Sequence, residues 1–195
     1  MHRRRLLIAL GAVAVLAVLA IGLSQAGSKS EKPAAATLSL AEQRRMLAGA
    51  PGPLAELHAQ GSQLLGGGPQ AMQARLKALR GYPVVINKWA SWCPPCRLES
   101  PIFQRVAARL GRQVAFLGLD GKDPAGDARQ FLRQIPLSYP SYQDPDERVA
   151  RTLKAGAFYP TTVFIDAHGR RSVHQGGYTD EAKLEQDIRR YALDA

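Results

Sequence analysis

A nearly continuous apolar run leads directly into a pair of cysteines, and this junction constrains the fold more than any other stretch. Residues 82–89 are rich in β-branched and aromatic side chains, as a buried central strand requires. Cys93-Pro94-Pro95-Cys96 follows, and a helical pattern of apolar residues begins there. A strand that turns into a helix at Cys-x-x-Cys places one thiol at the helix N-terminus, where the dipole and free N–H groups stabilise a thiolate.

These two cysteines are the only ones in the chain, and the spacing leaves three uses open. The pair can cycle between dithiol and disulfide, supply half of a metal site, or form two unrelated core thiols. A tetrahedral metal site needs four ligands, and the candidate histidines His58, His168 and His174 stand at spacings that form no ligand motif. We therefore predict a redox pair and no metal.

The N-terminal segment predicts membrane targeting. Three arginines at residues 3–5 precede residues 6–23, a run of 18 residues without a polar side chain. As a helix this run would be roughly 27 Å long, close to the hydrocarbon thickness of a bilayer. We predict a signal anchor or transmembrane segment over residues 1–26, with the arginines in the cytoplasm and the rest of the chain outside. Small residues before Ala26 leave open a cleavage there, which would release a secreted protein.

The chain after this segment divides into three predicted parts. Residues 27–38 are rich in Lys, Ser, Pro and Ala, which indicates a flexible linker. Residues 39–81 carry three helical patterns and form a helical N-terminal extension. Residues 82–195 follow the order strand, helix, strand, helix, strand, strand, helix, which predicts a mixed α/β sheet covered by helices on both faces.

Local signals set the boundaries of two helices. Apolar residues fall at helical spacing from Leu54 to Leu65, and three glycines follow, which predicts a helix over residues 54–65. Thr179 precedes the last amphipathic segment, so we expect this residue to cap the final helix.

The net charge of +10 does not indicate nucleic-acid binding. Three of the positive charges belong to the targeting segment, and the others are scattered among acidic residues without a basic block or interleaved aromatic side chains. This distribution is typical of a solvated surface, and we predict no nucleic-acid partner.

Residues 82–192 resemble a thioredoxin fold and, more narrowly, the TlpA/ResA-type membrane-anchored thiol–disulfide oxidoreductases of the redoxin/thioredoxin-like family. Two runs carry the resemblance, residues 87–101 around the cysteines and residues 159–162 directly before a strand. The turn at Gly169 and the terminal helix complete it. The resemblance implies a thioredoxin-like mixed β-sheet flanked by helices.

The resemblance implies a catalytic role for four residues. Cys93 would be the exposed nucleophile that attacks a substrate disulfide, and Cys96, more buried, would resolve the mixed disulfide. Pro160 would adopt the cis form and face the cysteines, and Glu99 would move protons for the thiols. Without the resemblance, Pro160 is a proline at the start of a strand and Glu99 is a surface helix residue. No cofactor is implied beyond the redox-active disulfide Cys93–Cys96.

The resemblance also implies a substrate site and partners. The backbone of Tyr159 would pair with the substrate chain, and the other substrate-binding candidates are Trp92, Pro94, Pro95 and Thr161. The substrates would be exported proteins with cysteines, apocytochrome c thiols being one class. A membrane-embedded or secreted electron donor or acceptor would be the redox partner.

The sequence differs at several points from the thioredoxin-like proteins that it resembles. Asn87 occupies the place of the buried aspartate of cytoplasmic thioredoxin, and the Pro-Pro loop lacks the histidine of a strong oxidase, so we predict a reducing protein. The family's N-terminal β-hairpin is not evident in residues 40–80, and residues 121–158 are longer than a minimal thioredoxin needs.

Two other functions remain open at the level of sequence. A thiol peroxidase of the peroxiredoxin-related group would need Thr or Ser three residues before the reactive cysteine, where this chain has Ala90. A non-enzymatic metal-binding or chaperone module would use the cysteines only structurally. Metal content and a thiol count with and without reductant distinguish the last class.

Overall fold

The computed structural model describes residues 37–194. Their elements, in chain order, are α1 (Leu40–Met46), α2 (Gly52–Ala59), β1 (Leu64–Leu65), α3 (Gly68–Ala78), β2 (Val84–Trp89), α4 (Pro94–Leu110), β3 (Ala115–Gly121), α5 (Ala125–Gln134), β4 (Ser141–Asp144), α6 (Arg148–Leu153), β5 (Thr161–Ile165), β6 (Arg171–Gln175), α7 (Glu181–Ile188) and a π-helical turn (Arg189–Leu193).

The six strands form one mixed sheet in the order β1-β4-β3-β2-β5-β6. The four strands β1, β4, β3 and β2 run parallel to one another. The strand β5 is antiparallel to β2, and β6 is antiparallel to β5. The predicted mixed sheet is confirmed, and the last two strands form a hairpin across the turn at Gly169. The central strands β2, β3 and β5 are buried along their whole length, as strands covered on both faces must be.

Two hydrophobic cores lie on the two faces of the sheet, because successive side chains of a strand point to opposite sides. Val85 contributes to the core that contains both cysteines and the inner faces of α4, α5 and α7. Val84 and Ile86 contribute to the other core, which α2, α3 and α6 cover. Each fully buried leucine, valine or phenylalanine in these cores stabilises the fold by about 1.5–3 kcal/mol.

The second helix is shorter than the sequence predicts. It ends at Ala59, and Leu64–Leu65 form strand β1, which pairs in parallel with β4. The chain turns between them: Ser62 adopts a left-handed conformation with φ 60°, and its amide donates to the carbonyl of Tyr139 at 3.2 Å. The prediction of a helix over residues 54–65 is wrong at its C-terminal end, because helical spacing does not distinguish two leucines of a short strand from a continuing helix.

The final helix begins one residue later than the sequence suggests. Asp180 is the N-cap of α7, and its carboxylate accepts a hydrogen bond from the Lys183 amide at 2.8 Å. The expectation of Thr179 as the cap is therefore wrong. Both residue types are good caps, and the carboxylate is additionally favoured by the helix dipole.

The predicted membrane segment over residues 1–26 and nearly all of the predicted linker lie outside the described residues. Between residues 37 and 194, no helix combines the length and the apolar character that crossing a membrane requires.

Candidate active site

Cys93 and Cys96 form a disulfide at the N-terminus of α4. Cys93 is the N-cap of the helix, and its Sγ accepts a hydrogen bond from the Cys96 amide at 3.2 Å. Cys93 is 2% exposed and Cys96 is fully buried, so the expectation of an exposed Cys93 is wrong for this disulfide form, in which both sulfurs belong to the core. A thiolate released at this N-cap would lie among the free amides of the first helical turn, which stabilise negative charge.

The residues around the disulfide present apolar surface to solvent. Trp92 is 52% exposed, and its indole Nε1 donates to the carbonyl of Lys122 at 2.9 Å. Its ring centroid lies 5.1 Å from that of Tyr159. Pro94 and Pro95 form the first turn of α4 and are both exposed. Three of the substrate-binding candidates therefore adjoin the cysteines in the chain, and a fourth, Tyr159, packs against Trp92.

The loop before β5 contains a cis peptide bond between Tyr159 and Pro160. Within the described residues, neither the amide nor the carbonyl of Tyr159 is in a hydrogen bond, whereas the Pro160 carbonyl accepts one from Gly176 at 3.0 Å. Thr161 is fully buried, and its hydroxyl donates to the Phe158 carbonyl at 2.9 Å. The side chain of Thr161 thus supports the loop from inside, while the Tyr159 peptide group stays free to pair with another chain.

Gly177 marks where three predicted site residues meet. A Cβ atom at this position would lie 3.4 Å from Pro160 Cγ, 3.6 Å from Glu99 Oε2 and 3.8 Å from the Pro95 carbonyl oxygen. The cis-proline loop, the cysteine loop and the glutamate of α4 are therefore brought to one point, where an added methyl group would make ordinary van der Waals contact with all three.

Glu99 is completely buried, so the alternative of a surface helix residue is wrong. Asn87 Nδ2 donates to Glu99 Oε1 at 2.6 Å, and the amide of Tyr178 donates to Oε2 at 3.0 Å. Burial raises the pKa of Glu99 to about 7, although the hydrogen bonds from Tyr178 and Asn87 favour the charged form and act in the opposite direction. A carboxyl with this pKa, one turn from Cys96, can exchange a proton near neutral pH.

A buried lysine, which the sequence analysis did not identify, contacts the segment that leads into the cis-proline loop. Lys88 is fully buried in β2; its Nζ lies 2.6 Å from Glu147 Oε1 and donates to the Gly156 carbonyl at 2.7 Å. Glu147 also accepts from the Tyr159 hydroxyl at 2.8 Å and pairs with Lys122 at 2.9 Å. A charged residue inside a buried, mainly apolar strand was the available sequence signal.

Burial alone would raise the pKa of Glu147. The hydrogen bonds from Lys88, Lys122 and Tyr159, together with the charge of Lys88, lower it to about 2 instead. The carboxylate therefore remains ionised over the whole physiological range, and it connects β2, the segment after β3 and the cis-proline loop.

Asp120, near the end of β3, and Asp123, just after the strand, form a second cluster that the sequence analysis did not identify. Asp123 accepts hydrogen bonds from the Ser91 amide at 2.5 Å and the Ser91 hydroxyl at 2.8 Å, and so fixes the start of the cysteine loop. Asp120 is fully buried, and within residues 37–194 no donor reaches either of its oxygens. Burial, with the nearby Asp123 and Asp144 carboxylates, raises the pKa of Asp120 to about 9, so it is a neutral acid at pH 7.

The side chains do not form a metal centre where the structure describes them. No group of three or more His, Cys, Asp or Glu residues within residues 37–194 is arranged to hold a metal ion. His58 instead contacts two backbone carbonyls, those of Gly111 at 2.8 Å and Ser138 at 3.2 Å.

Solved structures identify the class of fold. The structure of MTB dsbF, in mixed oxidized and reduced forms, is 28% identical, with a TM-score of 0.55 over 60% of this chain and 85% of that chain. A secreted thiol-disulfide isomerase from Corynebacterium glutamicum is 29% identical, with a TM-score of 0.51 over 61% of this chain and 73% of that chain. The fold is thioredoxin-like, as predicted.

The family model of the AhpC/TSA family matches residues 58–170, and the chain belongs to that family. The thiol-disulfide oxidoreductase ResA of Oceanobacillus iheyensis is 34% identical over 109 residues, which cover 54% of this chain and 55% of that protein. A thiol:disulfide interchange protein DsbE homolog of Paracoccus denitrificans is 41% identical over 87 residues, 44% of this chain and 46% of that protein. The chain thus matches only about half the length of these two relatives.

Proposed function

We propose that this chain is a thiol–disulfide oxidoreductase that uses the Cys93–Cys96 pair on exported proteins. The observation that carries the proposal is the position of the disulfide at the N-terminus of α4, with the buried Glu99 carboxyl one turn further along that helix. The names of the ResA and DsbE relatives agree with this chemistry.

In the first step, the reduced protein attacks a substrate disulfide. The Cys93 thiolate bonds to one substrate sulfur, the substrate S–S bond breaks, and the other substrate sulfur leaves as a thiolate that takes up a proton. The product is a mixed disulfide between Cys93 and the substrate. The N-terminus of α4 favours this step because it stabilises the attacking thiolate.

In the second step, Cys96 releases the substrate. Glu99 accepts the Cys96 proton, the Cys96 thiolate attacks Cys93 Sγ, and the second substrate sulfur leaves as a thiolate and is protonated. The substrate has then gained two electrons and two protons, and the chain holds the Cys93–Cys96 disulfide. A membrane-embedded or secreted dithiol donor would reduce the pair again.

The substrate would bind as an extended strand beside the cis-proline loop. The free amide and carbonyl of Tyr159 offer one donor and one acceptor to such a strand. The exposed faces of Trp92, Pro94 and Pro95 would then cover the residues next to the substrate cysteine. Thr161 would contribute by holding the loop.

The site of action would be outside the cytoplasm. The apolar run over residues 6–23 would tether the chain as a single-pass anchor, or direct its secretion if it is cut after Ala26. Exported polypeptides with cysteines, including apocytochrome c in cytochrome c maturation, would meet the pair there.

The test is disulfide exchange with a disulfide-bonded peptide. The purified, reduced chain should release peptide thiols in stoichiometric amount and become oxidised itself, whereas Cys93→Ser should lose the activity. Cys96→Ser should accumulate a mixed disulfide at Cys93. Trapping by Cys93→Ser and not by Cys96→Ser would reverse the two roles, and activity in a variant that lacks both cysteines would overturn the proposal.

A redox titration against glutathione tests the direction of electron flow. We expect a reducing potential, and a value near −120 mV, that of a dedicated oxidase, would contradict it. Hydroperoxide consumption in the same preparation tests the peroxidase alternative, which the buried Ala90 does not favour, because it offers no hydroxyl to the peroxide.

A further inference from the structure

The loop between β6 and α7 holds Glu99 and the cis-proline loop at the same time. Gly176 donates its amide to the Pro160 carbonyl at 3.0 Å, and Tyr178, two residues later, donates its amide to Glu99 Oε2 at 3.0 Å. A displacement of this loop would therefore change the hydrogen bonding of the buried carboxyl.

The side chain of Tyr178 fixes the position of that loop. Its hydroxyl donates to Asp187 Oδ2 of α7 at 3.0 Å. Its ring packs edge-on against Phe103 of α4 at a centroid distance of 6.0 Å and stacks on His174 at 4.7 Å. Tyr178 is 3% exposed, so its side chain has one well-defined place between α4 and α7.

Asp187 is itself held in place from two further sides. Lys183 Nζ lies 2.7 Å from its Oδ1, one turn earlier on α7, and His174 Nδ1 lies 4.0 Å from its Oδ2. Asp187 is 3% exposed, and Lys183 faces solvent beside it. The tyrosine hydroxyl is thus anchored to a carboxylate that the terminal helix keeps fixed.

We propose that Tyr178 is a positioning residue for Glu99, and that Asp187 fixes the tyrosine so that its amide stays on Glu99 Oε2. The proposal deepens the proposed function, since Glu99 is the proton acceptor there. A hydrogen bond to the charged form of a carboxyl stabilises that form, so a looser amide would leave Glu99 protonated to higher pH.

In the oxidised chain, the titratable groups that face Glu99 are Tyr178 itself and Tyr139 of the segment before β4. The pKa of Tyr139 is raised by burial and by the Glu99 charge, and the Cys93–Cys96 disulfide of α4 does not titrate. Tyr178→Phe removes the Tyr178 hydroxyl and leaves Tyr139, the disulfide and the backbone amide at position 178 in place. Tyr178→Phe is therefore a specific probe of the anchor.

The experiment follows the Glu99 side-chain carboxyl by carbon-13 NMR during a pH titration of the oxidised chain. Glu99→Gln identifies the signal. We expect Tyr178→Phe to raise the titration midpoint by about half a unit. Tyr191→Phe removes the hydroxyl of another partly buried tyrosine near α7 and should leave the midpoint unchanged.

A second pair of variants covers the case in which Tyr178→Phe fails to fold. Asp187→Ala removes the acceptor and should raise the midpoint similarly, whereas Lys183→Gln removes one of the two further partners of Asp187 and should have little effect. An unchanged midpoint in folded Tyr178→Phe or Asp187→Ala, even with reduced thermal stability, would overturn the proposal and leave only a packing role.

The outcome is separable from that of the proposed function. The midpoint is measured on the disulfide form and requires no turnover, whereas the exchange activity depends on Cys93. A raised midpoint in a chain without exchange activity would retain the positioning role and reject the oxidoreductase. An unmoved midpoint in an active chain would do the reverse. In an active chain, the pH profile of Cys93 alkylation should move upward with the midpoint.

Discussion

The side-chain nitrogen of Lys88 lies 4.0 Å from the centre of the Tyr159 ring, although Lys88 is a fully buried residue of the central strand. The ammonium group touches the ring that precedes the cis-proline and at the same time pairs with Glu147. A buried charge is tolerated only when it is paired and hydrogen-bonded, so this lysine makes the cis-proline loop depend on one carboxylate.

Replacement of Glu147 by Gln should therefore destabilise the chain strongly. It leaves Lys88 buried without a counter-ion, and we expect a loss of about 3–5 kcal/mol in the free energy of unfolding. Lys122→Gln is the matched control. Lys122 pairs with the same carboxylate, but its side chain is 55% exposed, so its removal should cost at most about 1 kcal/mol. Equal losses in urea unfolding of the two variants would contradict the assignment.

The Lys88–Glu147 pair should also make the stability of the chain depend on pH in the acid range. Because the pKa of Glu147 is lowered to about 2 in the folded chain, its contribution is complete above about pH 4.5. The contribution should be lost as the pH falls from about 4.5 to 2. Urea unfolding of the wild type and Glu147→Gln over this range should give free energies that converge, and a constant difference would contradict the pairing.

Gly121 should not accept a side chain. A Cβ atom there would clash with the Tyr159 hydroxyl, so Gly121→Ala should displace the tyrosine from Glu147 and cost about 1–3 kcal/mol. Gly126→Ala, in the first turn of α5 with open space around the new methyl group, should be neutral or slightly stabilising. Thermal unfolding measures both, and Trp92 fluorescence should change only in Gly121→Ala.

Glu99 should make the chain less stable as the pH rises. Its folded pKa of about 7 lies above the ordinary value of 4.5, so its favourable contribution is complete below about pH 4.5 and is lost by pH 7. The difference in unfolding free energy between Glu99→Gln and the wild type should change by about 3 kcal/mol across that window and then level off. A difference that does not vary with pH would contradict the burial of an ionisable Glu99.

Asp120 should also make the chain less stable as the pH rises, but over a wider pH range. Its pKa of about 9 means that its contribution is lost gradually between about pH 4 and pH 9. Asp120→Asn keeps the shape of the side chain and offers an N–H group to the neighbouring carboxylates. We expect this variant to match the wild type near pH 4 and to exceed its free energy of unfolding at pH 8 by about 5 kcal/mol. A variant that is less stable than the wild type at pH 8 would contradict the prediction.

The parts of the site that depend on local sequence were predictable. Cys93, Cys96 and the residues between them form a local motif at a strand–helix junction, and Pro160 precedes a recognisable strand. The sheet followed from the order of strands and helices, which constrains the connections strongly. Such features involve few residues that are distant in the chain.

The environment of Glu99 was not predictable in the same way. One of its donors lies 12 residues earlier and the other 79 residues later, so no local pattern indicates that the carboxylate is buried. Lys88 was recognisable as a charge within a mainly apolar strand. Its partner Glu147, however, is the residue before α6 and has a left-handed backbone conformation, and no sequence pattern indicates the pairing. The prediction for the two leucines of β1 was wrong for a related reason, because the strand with which they pair, β4, is distant in the chain.

The pairing of β1 with β4 has a consequence for the use of this protein as a module. Leu64–Leu65 close one edge of the sheet, and α2 and α3 cover one of its faces. A graft of this chain that started at residue 82 would carry the cysteines and the cis-proline but expose the β4 edge and the apolar side chains beneath. Such an edge invites pairing with other molecules, and the smallest transplantable unit therefore begins before α2.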